Sequence, residues 1–238
     1  MKKNWSQLAS LFAMTILLAM PEIVKAQGEE SESPISMGAD FMSRYVWRGL
    51  DYGASPSIQP YIELGLGNFA IGAWGAYTMS FSTTNPLGVQ EMDLYAAYTI
   101  ADIVRVGVTD YFFPQEADYN YNYFDYGSDT SVHVIEGMLT FNGPENLPLT
   151  LTLGYNFLND DDNSLYIELG YSFSILNIFV GAGNGLYLTG NSDFGIVNLG
   201  ISSSKKIAIT ENFSLPISAA LITNPEAKQI HLVFGISF

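Results

Sequence analysis

The sequence predicts an all-β fold, an antiparallel transmembrane β-barrel preceded by a cleaved signal peptide. Three observations point to this class. The first residues have the organisation of a secretory leader, the rest of the chain is apolar yet poor in charge, and long segments alternate between apolar and polar residues.

The leader is predicted at residues 1–26. It begins with "MKK", continues with the apolar run "LASLFAMTILLAM", and ends on Val24 and Ala26 in the small-x-small pattern of a cleavage site. We predict a short acidic periplasmic segment at 27–34 and the barrel at 35–238. A retained membrane anchor is the alternative, and it is disfavoured because the apolar run is too short to span a bilayer comfortably.

The composition excludes several classes of protein. The chain is 48% hydrophobic and 14% charged, little more than half the charge of an average soluble domain. After the leader there is no apolar run of about 18 residues, so no transmembrane helix is predicted. Strands of about ten alternating residues are the other way across a membrane.

Charge and residue usage limit the ligands. The formal net charge is −15, and it becomes −17 without the leader, which carries three lysines and one glutamate. Such a chain lacks the basic face that nucleic-acid binding needs. It has no cysteine and only two histidines, so we predict no metal site and no cofactor.

Strict alternation defines the strands. In "SLYIELGYSFS" the residues Leu165, Ile167, Leu169, Tyr171 and Phe173 share one face, and "PLTLTLGYNF" and "KQIHLVFGISF" repeat the pattern. Twelve strands fit, with ten as the second choice. They are predicted at 36–49, 56–67, 69–80, 90–101, 102–113, 131–142, 148–158, 164–174, 176–188, 193–203, 212–222 and 227–238.

The connectors alternate in length and charge. One set is mostly short, although it includes "NGPENLP" and "SKKIAITE". The other set is longer and more acidic, with "PQEADYNYNYFDYGSDT" and "NDDDN" among its members. Outer-membrane barrels have short periplasmic turns and long outer loops, so the second set is predicted to be extracellular.

Aromatic residues fall at the two strand ends that would meet the membrane interfaces. An ordinary sandwich core does not predict this sorting, and a soluble lipocalin-type barrel would need a polar exterior. The upper girdle is predicted to hold Tyr45, Trp47, Tyr77, Tyr155 and Phe157, and the lower girdle Tyr98, Phe141, Phe173 and Phe238.

The chain ends in mid-strand on Phe238. A barrel leaves no free edge, so the last strand must pair with the first. An outward terminal aromatic residue resembles the C-terminal signature of bacterial outer-membrane proteins. Phe238 is therefore predicted to be the signal that the barrel-assembly machinery recognises.

The stretch "SRYVWRGLDYGASPSIQPYIELGLG" resembles the first hairpin of the TorF-type proteins, also called the Gcw_chp family, which are described as porins of the bacterial outer membrane. The resemblance implies a barrel in the cell outer membrane of a Gram-negative bacterium, with porin activity. The matching residues are Ser43, Tyr45, Arg48, Gly49, Pro56 and Gln59.

Alternation also predicts which polar residues line the lumen. If the first hairpin turns near Gly53, Arg44 lies opposite Glu63 and Arg48 opposite Gln59. The candidate lumen and selectivity residues are Asp40, Arg44, Arg48, Gln59, Glu63, Glu91, Asp93, Arg105, Glu136 and Glu168.

A lumen rich in carboxylates favours a narrow porin that passes small solutes with a preference for cations, because rings of Asp and Glu select cations. The alternative is a structural or surface-binding barrel whose charges plug the interior, as in barrels of few strands. Expected partners are small solutes, outer-membrane lipid and lipopolysaccharide.

The long loop is predicted to bind a carbohydrate or a protein, or to gate the pore, through rings that alternate with polar residues. The alternatives are a loop folded over the mouth and an extension of its flanking strands. Its candidate residues are Tyr119, Tyr121, Tyr123, Phe124 and Tyr126.

Two further possibilities carry less weight. Asp160 to Asp162 could bind Ca²⁺, but a solvated turn fits their spacing better. An enzyme would need a nucleophile beside a base, and His133 with Asp129 and Ser131, or His231, has no recognisable motif. We predict no catalytic residue.

Overall fold

The computed structural model describes residues 33–80, 88–114, 122–127, 131–190 and 192–238. The predicted leader and most of the acidic segment lie outside these residues. The strands are β1 (Ile35–Met42), β2 (Tyr45–Trp47), β3 (Leu50–Tyr52), β4 (Ser57–Leu66), β5 (Phe69–Thr78), β6 (Gln90–Ile100), β7 (Val104–Phe112), β8 (His133–Asn142), β9 (Leu149–Leu158), β10 (Leu165–Ser172), β11 (Asn177–Gly183), β12 (Gly195–Ala208), β13 (Ser214–Asn224) and β14 (Gln229–Ser237).

Twelve of these strands form a closed antiparallel barrel in sequence order, and β2 and β3 form a separate two-stranded sheet. The barrel closes where β1 pairs with β14, with Phe41 opposite Ile236. Beyond this ladder, Ala39 and Phe238 exchange two backbone hydrogen bonds of 3.0 Å. The predicted all-β, twelve-stranded barrel is therefore confirmed.

Apolar side chains cover the outside of the wall. Val106, Val108 and Leu139 are exposed on β7 and β8, whereas the alternate residues Thr109 and Glu136 are buried inside. This arrangement is the reverse of a soluble barrel, which presents polar residues outward. In the part of the chain that the structure describes, no helix is long and apolar enough to cross a membrane.

The connectors differ between the two ends of the barrel. At the end that holds Ile35 and Phe238, termed here the termini end, β4 and β5 are joined by two residues and β6 and β7 by three. At the opposite end, termed the far end, the connectors include 79–89, 113–132 and 184–194. The far end therefore carries the longer connectors, and the acidic "NDDDN" segment also lies there, between β9 and β10.

The predicted first strand, 36–49, is too long. The wall strand β1 ends at Met42, and the chain then turns inward as β2 and β3. Tyr45 and Trp47, predicted to face lipid, are instead buried. The other predicted girdle residues are exposed, namely Tyr77, Tyr155, Phe157, Tyr98, Phe141, Phe173 and Phe238.

A second difference lies at the turn between β12 and β13. The predicted connector "SKKIAITE" continues the strand, and Lys205 pairs with Ile217. The ladder of β11 with β12 reaches only the pair Asn177 and Ser202. The two strands therefore project past β11 as a ribbon at the termini end.

Candidate functional site

A hairpin inside the barrel occupies the place where the sequence predicts only a wall. This inner hairpin consists of β2, β3 and the turn between them, residues 45–52, with Tyr45 opposite Tyr52. Its turn residues Arg48 and Gly49 both have positive φ, 49° and 80°. Two such residues form the turn whose twist matches a tight antiparallel hairpin.

Gly49 brings the hairpin tip against the barrel wall. A Cβ atom at this position would collide with the backbone carbonyl of Val197 on β12. The backbone oxygen of Gly49 accepts a hydrogen bond of 3.3 Å from Asn224 on β13. The Arg-Gly pair thus supplies both the turn conformation and the close approach.

The inner hairpin contacts strands on opposite sides of the barrel. Tyr45 donates a hydrogen bond of 2.6 Å to Glu91 on β6. Trp47 packs on Tyr111 of β7 with ring centroids 5.5 Å apart. Val46 packs against the opposite wall, near β11 and β13. A segment that touches opposite walls of a closed barrel must lie within its lumen.

Arg48 is the centre of this packing and is 1% exposed. Its Nη2 lies 2.9 Å from Oε2 of Glu136, and its Nη1 lies 2.5 Å from Oε1 of the same carboxylate. Tyr111 also donates to Glu136, at 2.8 Å. A bidentate pair of this kind is a strong hydrogen-bonding arrangement when both groups are removed from water.

Aromatic rings surround the guanidinium of Arg48. Its Cζ lies 4.4 Å from the ring centroid of Trp47, 4.5 Å from that of Tyr166 and 5.3 Å from that of Tyr187. Desolvated cation–π contacts contribute to holding such a cation. Tyr187 comes from the 3-10 turn Gly185–Tyr187 between β11 and β12, and its hydroxyl also contacts Arg48.

The predicted pairing of the first hairpin is wrong. Gln59 lies opposite Asp40, and Glu63 lies opposite Ser36. Arg44 instead forms an ion pair with Asp51, and it is partly exposed. The error follows from placing the whole segment to Gly49 in the wall, whereas the chain leaves the wall after Met42.

The remaining candidate lumen residues lie on inward-facing positions. Glu63 is 3.9 Å from Arg105 and accepts a hydrogen bond of 3.1 Å from Tyr95. Glu168 accepts a hydrogen bond of 2.7 Å from Asn198. Glu91 and Asp93 are buried on β6, and Asp40 and Gln59 are half-buried on β1 and β4.

The described part of the long loop lies against the outer wall, away from the lumen. Phe112 and His133 are register partners on the outward face of β7 and β8. Tyr126 stacks on His133 with centroids 4.2 Å apart and donates a hydrogen bond of 2.8 Å to Asp110. Phe124 is 84% exposed. Tyr119 and Tyr121 lie outside the described residues.

His133 belongs to this outer cluster. Its Nδ1 is 2.7 Å from Oδ1 of Asp110, and its ring also packs on Phe112 and Tyr123. The hydroxyl oxygen of Ser131 accepts a hydrogen bond from the backbone N–H of His133. Asp129 lies outside the described residues. His231 faces Asp51 of the inner hairpin at 3.8 Å.

The "NDDDN" segment is a hydrogen-bonded turn. The carboxylate of Asp160 accepts hydrogen bonds from Asn156 at 2.7 Å, from the backbone N–H of Ser164 at 3.0 Å and from that of Asp162 at 3.1 Å. Burial alone would raise the pKa of Asp160, but these hydrogen bonds together lower it. Both oxygens of this carboxylate are engaged with N–H donors.

Several residues of the site were not predicted from the sequence. The rings of Tyr166 and Tyr187 lie around Arg48, and Asn198 donates a hydrogen bond to Tyr166. In the sequence, each of these three looks like an ordinary barrel or loop residue. The available signal was Gly49, because glycine is the residue that most readily takes the positive φ of a tight turn. Such a turn at residue 48 is incompatible with a strand that continues to Gly49.

The solved structures that are similar to this chain include two porins. A KdgM porin is 9% identical with a TM-score of 0.44, and the match covers 85% of this chain and 97% of that chain. A triple mutant of the Rhodopseudomonas blastica porin is 9% identical with a TM-score of 0.40, covering 76% of this chain and 55% of that chain.

No curated protein matches the sequence. The family described as "Bacterial protein of unknown function (Gcw_chp)" matches residues 26–215, which is most of the chain. This chain therefore belongs to the Gcw_chp family.

Proposed function

We propose that the protein is a narrow outer-membrane channel for passive diffusion of small solutes, restricted from within by the inner hairpin. The observation that carries the proposal is the orientation of the barrel wall. Its outer face is apolar, with Val106 and Val108 as examples, and its inner face holds the charged side chains. Such a wall fits a bilayer at its outer face and water at its inner face.

The lumen toward the termini end supports a water-filled vestibule. The side chain of Arg105 is 27% exposed and that of Glu63 is 11% exposed, although both point inward. Asp40 and Gln59 are also half-buried rather than enclosed. Partial exposure of inward-facing charges is expected where solvent enters the barrel.

The charge of the lumen supports a preference for cations. Inward-facing carboxylates outnumber the inward basic residues. They belong to Glu63, Glu91, Asp93, Glu136 and Glu168. Arg48 is already neutralised by Glu136. An excess of fixed negative charge raises the local concentration of cations and lowers that of anions.

A plugged barrel with a structural or surface-binding role is the second candidate. It is favoured by the burial of the inner hairpin, whose Tyr45, Val46, Trp47 and Arg48 are all less than 9% exposed. In this case the hairpin stays in place and the far-end connectors perform any binding. The two candidates share one architecture. They differ in whether the inner hairpin leaves an open path for solutes through the lumen.

The location that goes with both candidates is the cell outer membrane of a Gram-negative bacterium, as the resemblance to the TorF-type proteins implies. The termini end would face the periplasm and the far end the cell surface. Lipopolysaccharide and the barrel-assembly machinery, through Phe238, are the proposed partners. We expect no enzymatic activity.

Conductance in planar bilayers tests the proposal. Met42 and Ser57 are direct register partners, so a two-residue turn can join them across the wall. We would compare the mature protein with a variant in which residues 43–56 are replaced by Asn-Gly, a turn suited to hairpins. Heat-modifiable migration on a gel would show that both barrels are folded.

Four results are distinguishable. Small cation-selective steps from the mature protein, with larger steps from the variant, support a restricted channel. Conductance from the variant alone supports the plugged barrel. Silence from both folded proteins contradicts a pore, and reversal potentials that indicate anion selectivity contradict the cation preference.

A further inference from the structure

We infer that Arg105 and Glu63 form a binding site for a small zwitterion, a molecule with an ammonium group and a carboxylate on neighbouring carbon atoms, as in an α-amino acid. Tyr95 is the positioning residue of this site, which lies in the lumen. The inference deepens the proposed function by naming a solute class, and it rests on that function for the place of the site along a solute path. Binding itself can be measured in a protein that does not conduct.

Arg105 is a lumen cation with unused hydrogen-bond donors. It lies on β7, its side chain is 27% exposed, and its Nη2 is 3.9 Å from Oε2 of Glu63. This distance is too long for a hydrogen bond. Nε of Arg105 is buried without a hydrogen-bond partner among the described residues. A guanidinium has five N–H donors, so Arg105 can still donate to an acceptor from outside the chain.

The strands beside Arg105 do not neutralise it. Its register partners are Thr99 on β6 and Thr140 on β8, and neither is charged. Arg48, by contrast, is joined to Glu136 at two points and is 1% exposed. Of these two arginines, Arg105 is therefore the one that a solute can reach.

Glu63 is held in place as the acceptor of the site. Its Oε2 accepts a hydrogen bond of 3.1 Å from the hydroxyl of Tyr95. Gly72 on β5 lies between them, as the register partner of both residues. A Cβ at Gly72 would collide with the Tyr95 hydroxyl, so the glycine lets Tyr95 reach across β5. Tyr95 and Arg105 thus approach the same oxygen atom of Glu63, at 3.1 and 3.9 Å.

The two opposite charges of the site favour a ligand that also carries both. A simple anion on Arg105 would be repelled by Glu63, and a simple cation on Glu63 would be repelled by Arg105. A zwitterion can place its carboxylate on the guanidinium and its ammonium group on the carboxylate of Glu63. Each of these contacts is a charge-assisted hydrogen bond, which is among the stronger kinds in proteins.

The site lies between the opening at the termini end and the inner hairpin. On β7, Arg105 is the second residue from the termini end. Tyr111, which packs on Trp47 of the inner hairpin, lies further along the same strand, toward the far end. A solute that enters from the termini end would therefore meet the site before it meets the hairpin.

Side-chain NMR can follow Arg105 separately. The chain has only three arginines, Arg44, Arg48 and Arg105. Labelling of arginine with an NMR-active nitrogen isotope gives an Nε–H signal for each, and the variant Arg105→Gln identifies the signal of that residue. We would titrate the folded mature protein in detergent with glycine at about pH 6.5, where glycine carries both charges. Acetate and methylammonium, at the same ionic strength, each represent one half of glycine.

Glycine should shift the Arg105 signal in a saturable way and leave the enclosed Arg48 signal unchanged. Acetate and methylammonium should each bind roughly tenfold more weakly than glycine, because each makes only one of the two charged contacts. This comparison of ligands uses the unchanged protein, so it does not depend on the folding of any variant.

Two variants test the assigned residues. Glu63→Gln should weaken glycine binding about tenfold, and it should strengthen acetate binding because the repulsion from Glu63 is removed. Tyr95→Phe should weaken glycine binding severalfold without weakening acetate binding. A general loss of structure would weaken both ligands. The matched controls are Glu145→Gln, at an exposed residue of the termini end, and Tyr98→Phe, on the lipid-facing side of β6.

The inference is overturned if acetate or methylammonium binds as tightly as glycine, or if Glu63→Gln changes glycine binding no more than Glu145→Gln does. A glycine titration that leaves the Arg105 signal in place also overturns it. Heat-modifiable migration shows which variants are folded. Bilayer silence together with glycine binding would contradict the channel but support the site, whereas conduction without glycine binding would contradict the site alone.

Discussion

The guanidinium of Arg48 and the carboxylate of Glu136 form a two-point contact between residues 88 positions apart, with both side chains removed from solvent. This pair connects the tip of the inner hairpin to β8. Because the hairpin has only three residues in each strand, its own ladder contributes little. The lumen contacts hold it in place.

Removing one partner of this pair should destabilise the protein more than removing both. Glu136→Leu leaves the buried Arg48 charge without a partner, and breaking such a pair costs about 3–5 kcal/mol. Arg48→Met combined with Glu136→Leu leaves no unpaired charge and should cost less. Urea unfolding in detergent of the unchanged protein, the single variants Glu136→Leu and Arg48→Met, and the double variant measures this. A double variant as unstable as the sum of the single variants would show that the two side chains do not interact.

The hairpin turn should be sensitive to a single methyl group. Gly49→Ala places a Cβ against the carbonyl of Val197 and also requires a positive φ. Gly67 has a φ of 61° but no atom within 4 Å of an added Cβ, so Gly67→Ala isolates the cost of the conformation. We expect about 1 kcal/mol for Gly67→Ala and roughly 2 kcal/mol or more for Gly49→Ala.

Thermal unfolding of the two glycine variants, followed by heat-modifiable migration, measures this difference. Equal losses would mean that the hairpin tip moves away from β12 without penalty. In that case the burial of residues 45–48 would not require the tight approach that Gly49 allows.

The wall could be predicted from the sequence because its side chains obey one rule. Strands of the wall alternate between lipid and lumen, and this period marked most of them, including the last one that ends on Phe238, although the alternation is lost in "FVGAGNGLYL" on β11, where the register shifts between Gly181 and Ala182. The same rule failed for Tyr45 and Trp47. They also alternate, and period two does not separate a strand in the wall from a short strand turned into the lumen.

The contacts around Arg48 and Glu136 could not be predicted from the sequence, for a similar reason. Alternation put Glu136 on the inner face, but the choice of Arg48 as its partner depends on a turn that reverses the chain within the lumen. The predicted pairing across a wall hairpin, with Arg48 opposite Gln59, used local geometry only. Tyr166 and Tyr187 reach Arg48 from distant strands and turns, so no local pattern marks them.

The far-end turn at Asp160 should lose stability in acid. Burial alone raises the pKa of this carboxyl, but the hydrogen bonds from Ser164 and Asn156 and the backbone N–H groups lower it below its unfolded value. A lowered folded-state pKa stabilises the protein above the unfolded pKa of about 4, and this contribution disappears as the pH falls through the folded value.

The variant Asp160→Asn should therefore flatten the dependence of stability on pH below about 4. The effect should be small because the carboxylate is partly solvated. The exposed neighbour provides the control, since Asp161→Asn should leave the acid limb unchanged. Unfolding midpoints measured between about pH 2 and 7 test the assignment. An unchanged acid limb in the Asp160 variant would mean that another carboxyl is responsible.

The outer aromatic cluster, which consists of Phe112, Tyr123, Tyr126 and His133, should anchor the long loop without affecting conduction. Tyr126 stacks on His133 and bonds Asp110, and both partners lie on the outward face of the wall. Tyr126→Ala should free the described part of the loop and increase its proteolysis severalfold, because loops held by fewer contacts open more often. Phe124→Ala is the control, because Phe124 is 84% exposed and its side chain makes little contact with the wall.

Limited proteolysis of intact cells and bilayer conductance are the two measurements. A change in conductance with Tyr126→Ala would place the loop in a gating role, as the sequence suggested, whereas faster proteolysis at unchanged conductance assigns this cluster to the outer surface alone.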